Sequence, residues 1–212
     1  MRLRTLLLSF ATVALATAAY AQDVNSISFP DVFQVRYAAN LNKGDSFINI
    51  TNTGSTELPD PTAANICVGV YTFDPSEEMV SCCSCLVTPN ALVSLSVQGD
   101  LISNTLSPST PTAVVVKLVS TVAGLGQNTL NCNPAGVEVE AAPGMRAWGT
   151  SLHALPGTPT TYGVTESAFL PGGLSEAEFF HLTSFCGFIQ ANGSGFGICK
   201  SCRAGGLGGA KQ

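Results

Sequence analysis

Eight cysteines constrain the folding of this chain more than any other feature of its sequence. An even number of cysteines in an exported chain predicts that all of them form disulfides, here four bridges. Spacing alone leaves roughly a hundred connectivities open. The cysteines form one dense cluster in the first half of the chain and another near its end, and they are Cys67, Cys82, Cys83, Cys85, Cys132, Cys186, Cys199 and Cys202.

The N-terminus predicts the oxidising compartment that these disulfides require. Arg2 and Arg4 precede the apolar run Leu6–Ala18, and Ala19-Tyr20-Ala21 has small residues at the two positions that a signal peptidase reads. The pattern therefore predicts a secretory signal peptide that is cleaved before Gln22. The apolar run is shorter than the ~20 residues that span a bilayer, so no transmembrane anchor is expected. The predicted location is secreted, either extracellular or at the periplasm and cell surface.

The charge of the chain argues against nucleic acid as a partner. Nine basic residues stand against 14 acidic ones, and two of the basic residues belong to the signal peptide. Phosphate binding requires clustered Lys and Arg, which such an acidic chain lacks. Charged residues make up only 11% of the chain, and weak repulsion between copies favours self-association.

Short apolar runs bounded by Gly, Pro, Asn and Asp predict an all-β domain. About seven such runs indicate an antiparallel β-sandwich. The stretch 44–54 looks like an early strand of an immunoglobulin-like module, which is an analogy of fold and carries no chemistry. Residues 89–97 fit either a short helix or a strand. The strand candidates are residues 32–37, 46–52, 65–73, 79–87, 112–121, 146–155 and 161–169.

One segment near the C-terminus has the pattern of a helix. Ser175 and Glu178 form a capping box, and apolar residues then recur at helical spacing until Asn192-Gly193 ends the pattern. The predicted fold is thus an immunoglobulin-like sandwich with a short C-terminal helix and a Cys-rich hook. The predicted segments are a signal peptide at 1–21, a β-sandwich at 22–170, the helix and Cys-rich segment at 171–203 and a flexible Gly-rich tail at 204–212.

The turn at residues 74–77 predicts a hairpin and, from it, one disulfide. A turn centred there places Cys67 opposite position 84, so Cys67 is expected to bond to one of Cys82, Cys83 or Cys85. Within the second strand, Cys83 and Cys85 share a face and Cys82 points to the other.

Two other uses of the cysteines remain open on the sequence. Zinc sites favour two short Cys pairs, and residues 82–85 and 199–202 are both dense in thiols, although the first has a poor spacing. A thioredoxin-like role for Cys199 and Cys202 requires a βαβ setting that the sequence does not show. Covalent haem is excluded because Arg203 stands where a histidine is needed. Neither a metal nor another cofactor is predicted.

No group of residues has the pattern of a catalytic site. His153 lies on a predicted strand, and His181 lies on the helix one turn after an acidic residue, the spacing of a surface pair. Glu138 and Glu140 share a strand face, where like charges are usually solvated. Gly193-Ser194-Gly195 lacks the spacing of a nucleophile elbow. The chain is therefore not predicted to be an enzyme.

Three segments carry a resemblance that covers most of the mature chain. They are residues 66–75, the run 82–90 and the run 182–195. On these segments the chain resembles an uncharacterised family of secreted, Cys-rich bacterial proteins. No established activity belongs to that family, so the resemblance implies no functional residue.

Export, cross-links and low charge predict a structural or adhesive protein that associates with itself or with an extracellular matrix. Strand pairing between copies is expected to use residues 23–38, because Pro30 suits a sheet edge and exposed edges template other chains. The alternative for this segment is the first strand of the chain's own sandwich. The runner-up function is a ligand- or carbohydrate-binding module with a groove near Trp148 or Tyr162. The expected assembly residues are Val32, Phe33, Val35 and Tyr37.

Overall fold

The computed structural model describes residues 31–55, 64–123, 132–136, 140–195 and 197–202. The predicted signal peptide and Gly-rich tail lie outside these residues. Strands and helices in the described residues are β1 Phe33–Ala38, β2 Phe47–Asn52, β3 Ile66–Phe73, β4 Met79–Val87, β5 Leu92–Ser96, a π-helical turn Val97–Leu101, β6 Val114–Val122, β7 Met145–Leu155, β8 Thr158–Ala168, β9 Leu170–Pro171, α1 Glu176–Ala191 and a 3₁₀ turn Lys200–Cys202.

Each of the seven predicted strands overlaps a strand of the structure, which confirms the mainly antiparallel β architecture. The ambiguous run 89–97 becomes the strand β5. It ends because the hydroxyl of Ser96 accepts a hydrogen bond from the amide of Gly99 at 2.7 Å, which begins the π-helical turn.

The strands form two antiparallel sheets that enclose one core. The first sheet has the order β4-β3-β6-β1-β9, and the second has the order β5-β2-β7-β8. Alternation along each strand directs one set of side chains between the sheets. This inner set is aliphatic and almost fully buried, and includes Ile48, Ile50, Val68, Val70, Leu95, Leu118 and Met145.

Helix α1 covers the outer face of the first sheet. Ser175 caps it by accepting a hydrogen bond from the Glu178 amide at 3.1 Å, which confirms the serine half of the predicted capping box. The Glu178 carboxylate pairs with Lys117 of β6 at 2.5 Å, so it anchors the helix to the sheet. Leu182 and Ile189 face that sheet and are buried. Burial of each such side chain contributes about 1.5–3 kcal/mol.

Under the helix, Tyr71 of β3 is a buried polar residue whose hydroxyl has one partner. Tyr71 is 2% exposed, and its hydroxyl donates to the carbonyl oxygen of Pro134 at 2.8 Å. Gly69 makes room for the ring, because a Cβ at that position would lie 2.9 Å from the hydroxyl oxygen. Burial raises the pKa of Tyr71, since the phenolate is poorly solvated there.

The raised pKa of Tyr71 predicts a loss of stability in alkali. The neutral phenol contributes fully to the free energy of unfolding below the pKa of about 10 that tyrosine has in the unfolded chain. This contribution is lost as the pH rises toward the higher pKa of the folded protein. In Tyr71→Phe, the free energy of unfolding should fall by about 1–3 kcal/mol at neutral pH, because the carbonyl of Pro134 loses its donor. Denaturant titrations at rising pH should show that the free energies of unfolding of the wild type and Tyr71→Phe approach each other above pH ~10. A difference that stays constant with pH would contradict the assignment.

Candidate functional site

All eight cysteines form disulfides, and their pairing defines the most cross-linked region of the molecule. The bridges are Cys67–Cys132, Cys82–Cys186, Cys83–Cys199 and Cys85–Cys202. Three of the four connect β4 to the C-terminal part of the chain. The predicted Cys-rich hook is thus held to the sandwich covalently.

The prediction for Cys67 is wrong, because its partner is Cys132 with a Cα–Cα distance of 5.5 Å. The register of the hairpin, which includes a shift between Thr72 and Phe73, places Cys67 opposite Leu86, two positions beyond the expected position 84. Opposite residues share a face, so in either register Cys83 and Cys85 lie on the other face from Cys67, and here that is the inner face of the sheet.

Cys82 shares the outer face with Cys67 but lies opposite Tyr71. It is therefore four residues along the strand from Cys67, or roughly 13 Å. That separation is well beyond the reach of a disulfide.

The hook segment is also held by a buried carboxylate. Asp100 is 2% exposed and accepts hydrogen bonds from the amide and hydroxyl of Ser201 at 2.7 and 2.8 Å. It also accepts one from the Ser96 amide at 2.8 Å. Asp100 therefore joins β5, the π-helical turn and the hook. No sequence pattern indicates this role for Asp100.

The sulfur atoms of Cys85, Cys199 and Cys202 lie within 4.8 Å of one another. Each belongs to a disulfide, whereas a zinc ligand must be a thiolate. In the oxidised protein this cluster is therefore part of the cross-linked core.

The expected assembly residues belong to the chain's own first sheet. Val32 and Phe33 are buried, and β1 pairs with β6 along its whole length. On its other side, β9 covers Gln34 and Val35. Tyr37 is 65% exposed. Donation of β1 to another copy would therefore require its withdrawal from this sheet.

A side chain covers the part of β1 that β9 does not reach. Arg36 donates to the carbonyl of Thr150 at 3.1 Å and to the hydroxyl of Ser167 at 3.1 Å. Burial lowers the pKa of Arg36, which nevertheless stays charged because guanidinium groups titrate so high. Its guanidinium approaches Gly149 so closely that a Cβ there would lie 2.3 Å from Nη1. These contacts close the gap between the two sheets at this side.

The edges β4 and β5 are occupied or short. Residues 197–199 run beside β4, where the Ser84 amide donates to the carbonyl of Gly197 at 3.2 Å and the Cys199 amide to that of Ser84 at 3.1 Å. β5 has five residues and packs against the 3₁₀ turn. Short and covered edges resist pairing with other chains.

The fourth edge, β8, is open among the described residues. β8 has 11 residues and pairs only with β7. Beyond Thr150 the two strands form a ribbon whose side chains are mostly exposed. Val164 is 64% exposed on this ribbon. We refer to the outer side of Thr158–Ala168 as the β8 edge.

A second exposed feature lies on the far side of α1. Phe180, Phe185 and Phe188 are 48–65% exposed, and a cavity of about 450 Å³ opens between Phe185, Phe188 and the start of β4. Exposed aromatic patches mark interaction surfaces on soluble proteins. The helical spacing that predicts the buried side of α1 also leaves these three phenylalanines outside that side.

The remaining candidate residues lie apart from one another. The ring of His181 packs edge-on against Phe185 with centroids 4.4 Å apart. His153 is exposed on the β7–β8 ribbon, opposite Gly163. Glu140 is described and exposed, whereas Glu138 lies outside the described residues.

Fold and cross-links together define the class of this protein as a disulfide-linked domain of two antiparallel β-sheets. Comparison with known proteins adds nothing to that class: no family model, curated protein or solved structure matches the chain. No helix among the described residues is long and apolar enough to cross a membrane.

Proposed function

We propose that this chain is a secreted structural protein whose copies associate by β-strand pairing at the β8 edge. The observation that carries the proposal is the contrast between the four sheet edges. β9 has two residues, and β4 and β5 are covered or short, whereas β8 has 11 residues and one strand partner among the described residues. A long exposed edge presents unpaired backbone donors and acceptors to another chain.

A second copy is the occupant that best complements this edge. Two β8 edges related by a two-fold axis pair antiparallel, so each donates and accepts the same hydrogen bonds. Glu166 is the one charged residue in this strand, and Asn49 donates to its carboxylate at 3.1 Å on the sheet face. The edge therefore lacks the inward-pointing lysines that block pairing in other proteins, and Pro159, at its start, is the one residue of the strand without an amide donor.

The cross-links and composition fit the same role. Disulfides persist in oxidising compartments, and four of them hold this sandwich. Few charges mean little long-range repulsion between copies. Export itself rests on the N-terminal sequence and remains a prediction.

The single substitution Val164→Lys tests the proposal. Val164 is exposed, so we expect the monomer to keep its fold. A lysine on the ribbon places an unpaired charge at the strand–strand contact, and the dissociation constant for self-association should rise at least about tenfold. Sedimentation equilibrium of the mature protein measures this constant. Val164→Thr is the matched control, because it is nearly isosteric and neutral, and it should associate as the wild type does.

Two outcomes would contradict the proposal. One is a wild-type protein that stays monomeric at high concentration, and the other is a Val164→Lys variant that associates normally. Deletion of residues 22–30 distinguishes the other route, donation of the N-terminal segment. It leaves Asp31, which accepts from the Gly144 amide at 2.8 Å. If the deletion alone abolishes association, the N-terminal segment and not the β8 edge carries it.

The immunoglobulin-like assignment also remains a prediction. Two facing antiparallel sheets support it. In an immunoglobulin constant domain, however, the first two strands share a sheet, whereas β1 and β2 lie in different sheets here.

A further inference from the structure

We infer that the outer face of the second sheet binds a neutral polysaccharide, with Trp148 as the surface on which a sugar ring packs. This face lies on the opposite side of the molecule from α1. Trp148 is the single tryptophan of the chain and is 39% exposed on β7. Tryptophan is highly buried on average, and an exposed ring contributes a large rigid contact area to binding.

The neighbours of Trp148 leave one side of its ring accessible. Directly opposite residues in antiparallel strands share a face, and Trp148 lies opposite Asn49 on β2 and Ala168 on β8. The small side chain of Ala168 leaves space at the end of β8, where a cavity of about 200 Å³ lies between Trp148 and Arg146 of the second sheet and Gln34 and Pro171 of the first. It has room for a single sugar ring.

Polar side chains surround the ring and are held in place by one another. The Ser94 hydroxyl donates to Asn49 Oδ1 at 2.8 Å, and Asn49 Nδ2 donates to Glu166 Oε1 at 3.1 Å. On the other side, Arg146 Nη1 lies 3.5 Å from Asp31 Oδ2, and the arginine side chain is 47% exposed. Such fixed polar groups bind a ligand at low cost in conformational entropy.

This arrangement matches the chemistry of a sugar. A pyranose ring with equatorial hydroxyls has apolar C–H faces that pack on an indole, and its hydroxyls both donate and accept hydrogen bonds at the rim. Arg146 supplies donors and Glu166 supplies acceptors. Asp31 already pairs with Arg146, so the carboxylate of Glu166 leaves a net negative charge at the rim, which favours a neutral ligand over an anionic one.

Since Trp148 is the single tryptophan, its fluorescence reports on this site alone. The mature protein is titrated with cellohexaose and with chitohexaose, and its retention on insoluble cellulose is measured in parallel. We expect a change in Trp148 emission with at least one oligosaccharide and retention on the matrix. Trp148→Ala should lower retention at least about tenfold, whereas Trp148→Phe should keep part of it.

Two further variants control this experiment. Phe188→Ala removes an exposed ring on the other side of the molecule and should bind as the wild type does. Val164→Lys should also bind normally, which separates saccharide binding from self-association. The inference is overturned if neither oligosaccharide changes the Trp148 emission of the wild type and the wild type is not retained on cellulose. It is equally overturned if Trp148→Ala binds as well as the wild type.

Discussion

Removing both the Cys83–Cys199 and the Cys85–Cys202 bridges is expected to destabilise the protein by more than the two single removals combined. The reason is that these bridges and Cys82–Cys186 connect the same two stretches of chain. While the other two bridges are intact, loss of either one opens only a short additional loop. In the chain-entropy treatment of disulfides, that loss corresponds to about 2 kcal/mol for each bridge.

Loss of both bridges frees the whole hook beyond Cys186, and the same treatment gives about 5 kcal/mol. Ala replacements leave a small cavity at each buried sulfur, and these cavities increase the loss of stability in both the single and the combined variants. Urea denaturation of the two double-Ala variants and of the fourfold variant measures the difference. Intact mass without reductant confirms that the remaining bridges have formed. Additive losses would contradict the view that the bridges reinforce one another.

Asn52→Asp should be among the most destabilising substitutions that preserve side-chain shape. Asn52 is fully buried at the end of β2. Its Nδ2 donates to the carbonyls of Ala64 at 2.7 Å and of Val87 at 3.0 Å, and its Oδ1 accepts from the Gly54 amide at 2.8 Å. Because Val87 belongs to the other sheet, this one amide joins the two sheets of the sandwich.

A carboxylate at this position points at two carbonyl oxygens and has no donor for either. We expect a loss of about 3–5 kcal/mol at neutral pH, the cost of a buried charge without a partner. The loss should shrink as the pH falls, because the protonated acid is neutral and donates one hydrogen bond. Asn52→Ala is the control, since it removes the hydrogen bonds without adding charge and its loss should not depend on pH. Denaturant titrations at neutral and acid pH test both; a pH-independent loss for Asn52→Asp would count against the mechanism.

Local patterns were enough to predict most strands and the helix. The alternation in β2 and β4 depends on neighbours in sequence, and the Ser175 cap depends on residues within one turn. Both kinds of pattern follow from backbone geometry that every chain shares.

The cysteine pairing was only partly predictable, because a disulfide joins residues that are far apart in the sequence. Alternation correctly separates Cys82 from Cys83 and Cys85, but the partner of Cys67 depends on where the connection after β6 returns. Cys132 lies 65 residues away in sequence, and no local pattern brings it near β3.

The candidate surfaces were also predictable only in part, because local patterns predict a strand or an aromatic residue but not its exposure. The strand candidate 161–169 predicts β8, and the sequence indicates Trp148 as a possible binding residue, but neither fact identifies an open edge or an uncovered face. The uncovered face depends on α1, which docks Leu182 and Ile189 onto the first sheet and leaves the second sheet exposed. The open edge depends on Arg36, which covers the part of β1 beyond β9, and on the hook, which covers the edge of β4.

The sequence by itself thus determined the periodicity, the cap and the even set of cysteines, because these are properties of neighbouring residues. Only the tertiary structure decided the disulfide partners, the inter-sheet role of Asn52 and the exposure of β8. Those features join residues far apart in the chain, and a strand that is central in one topology is an edge in another.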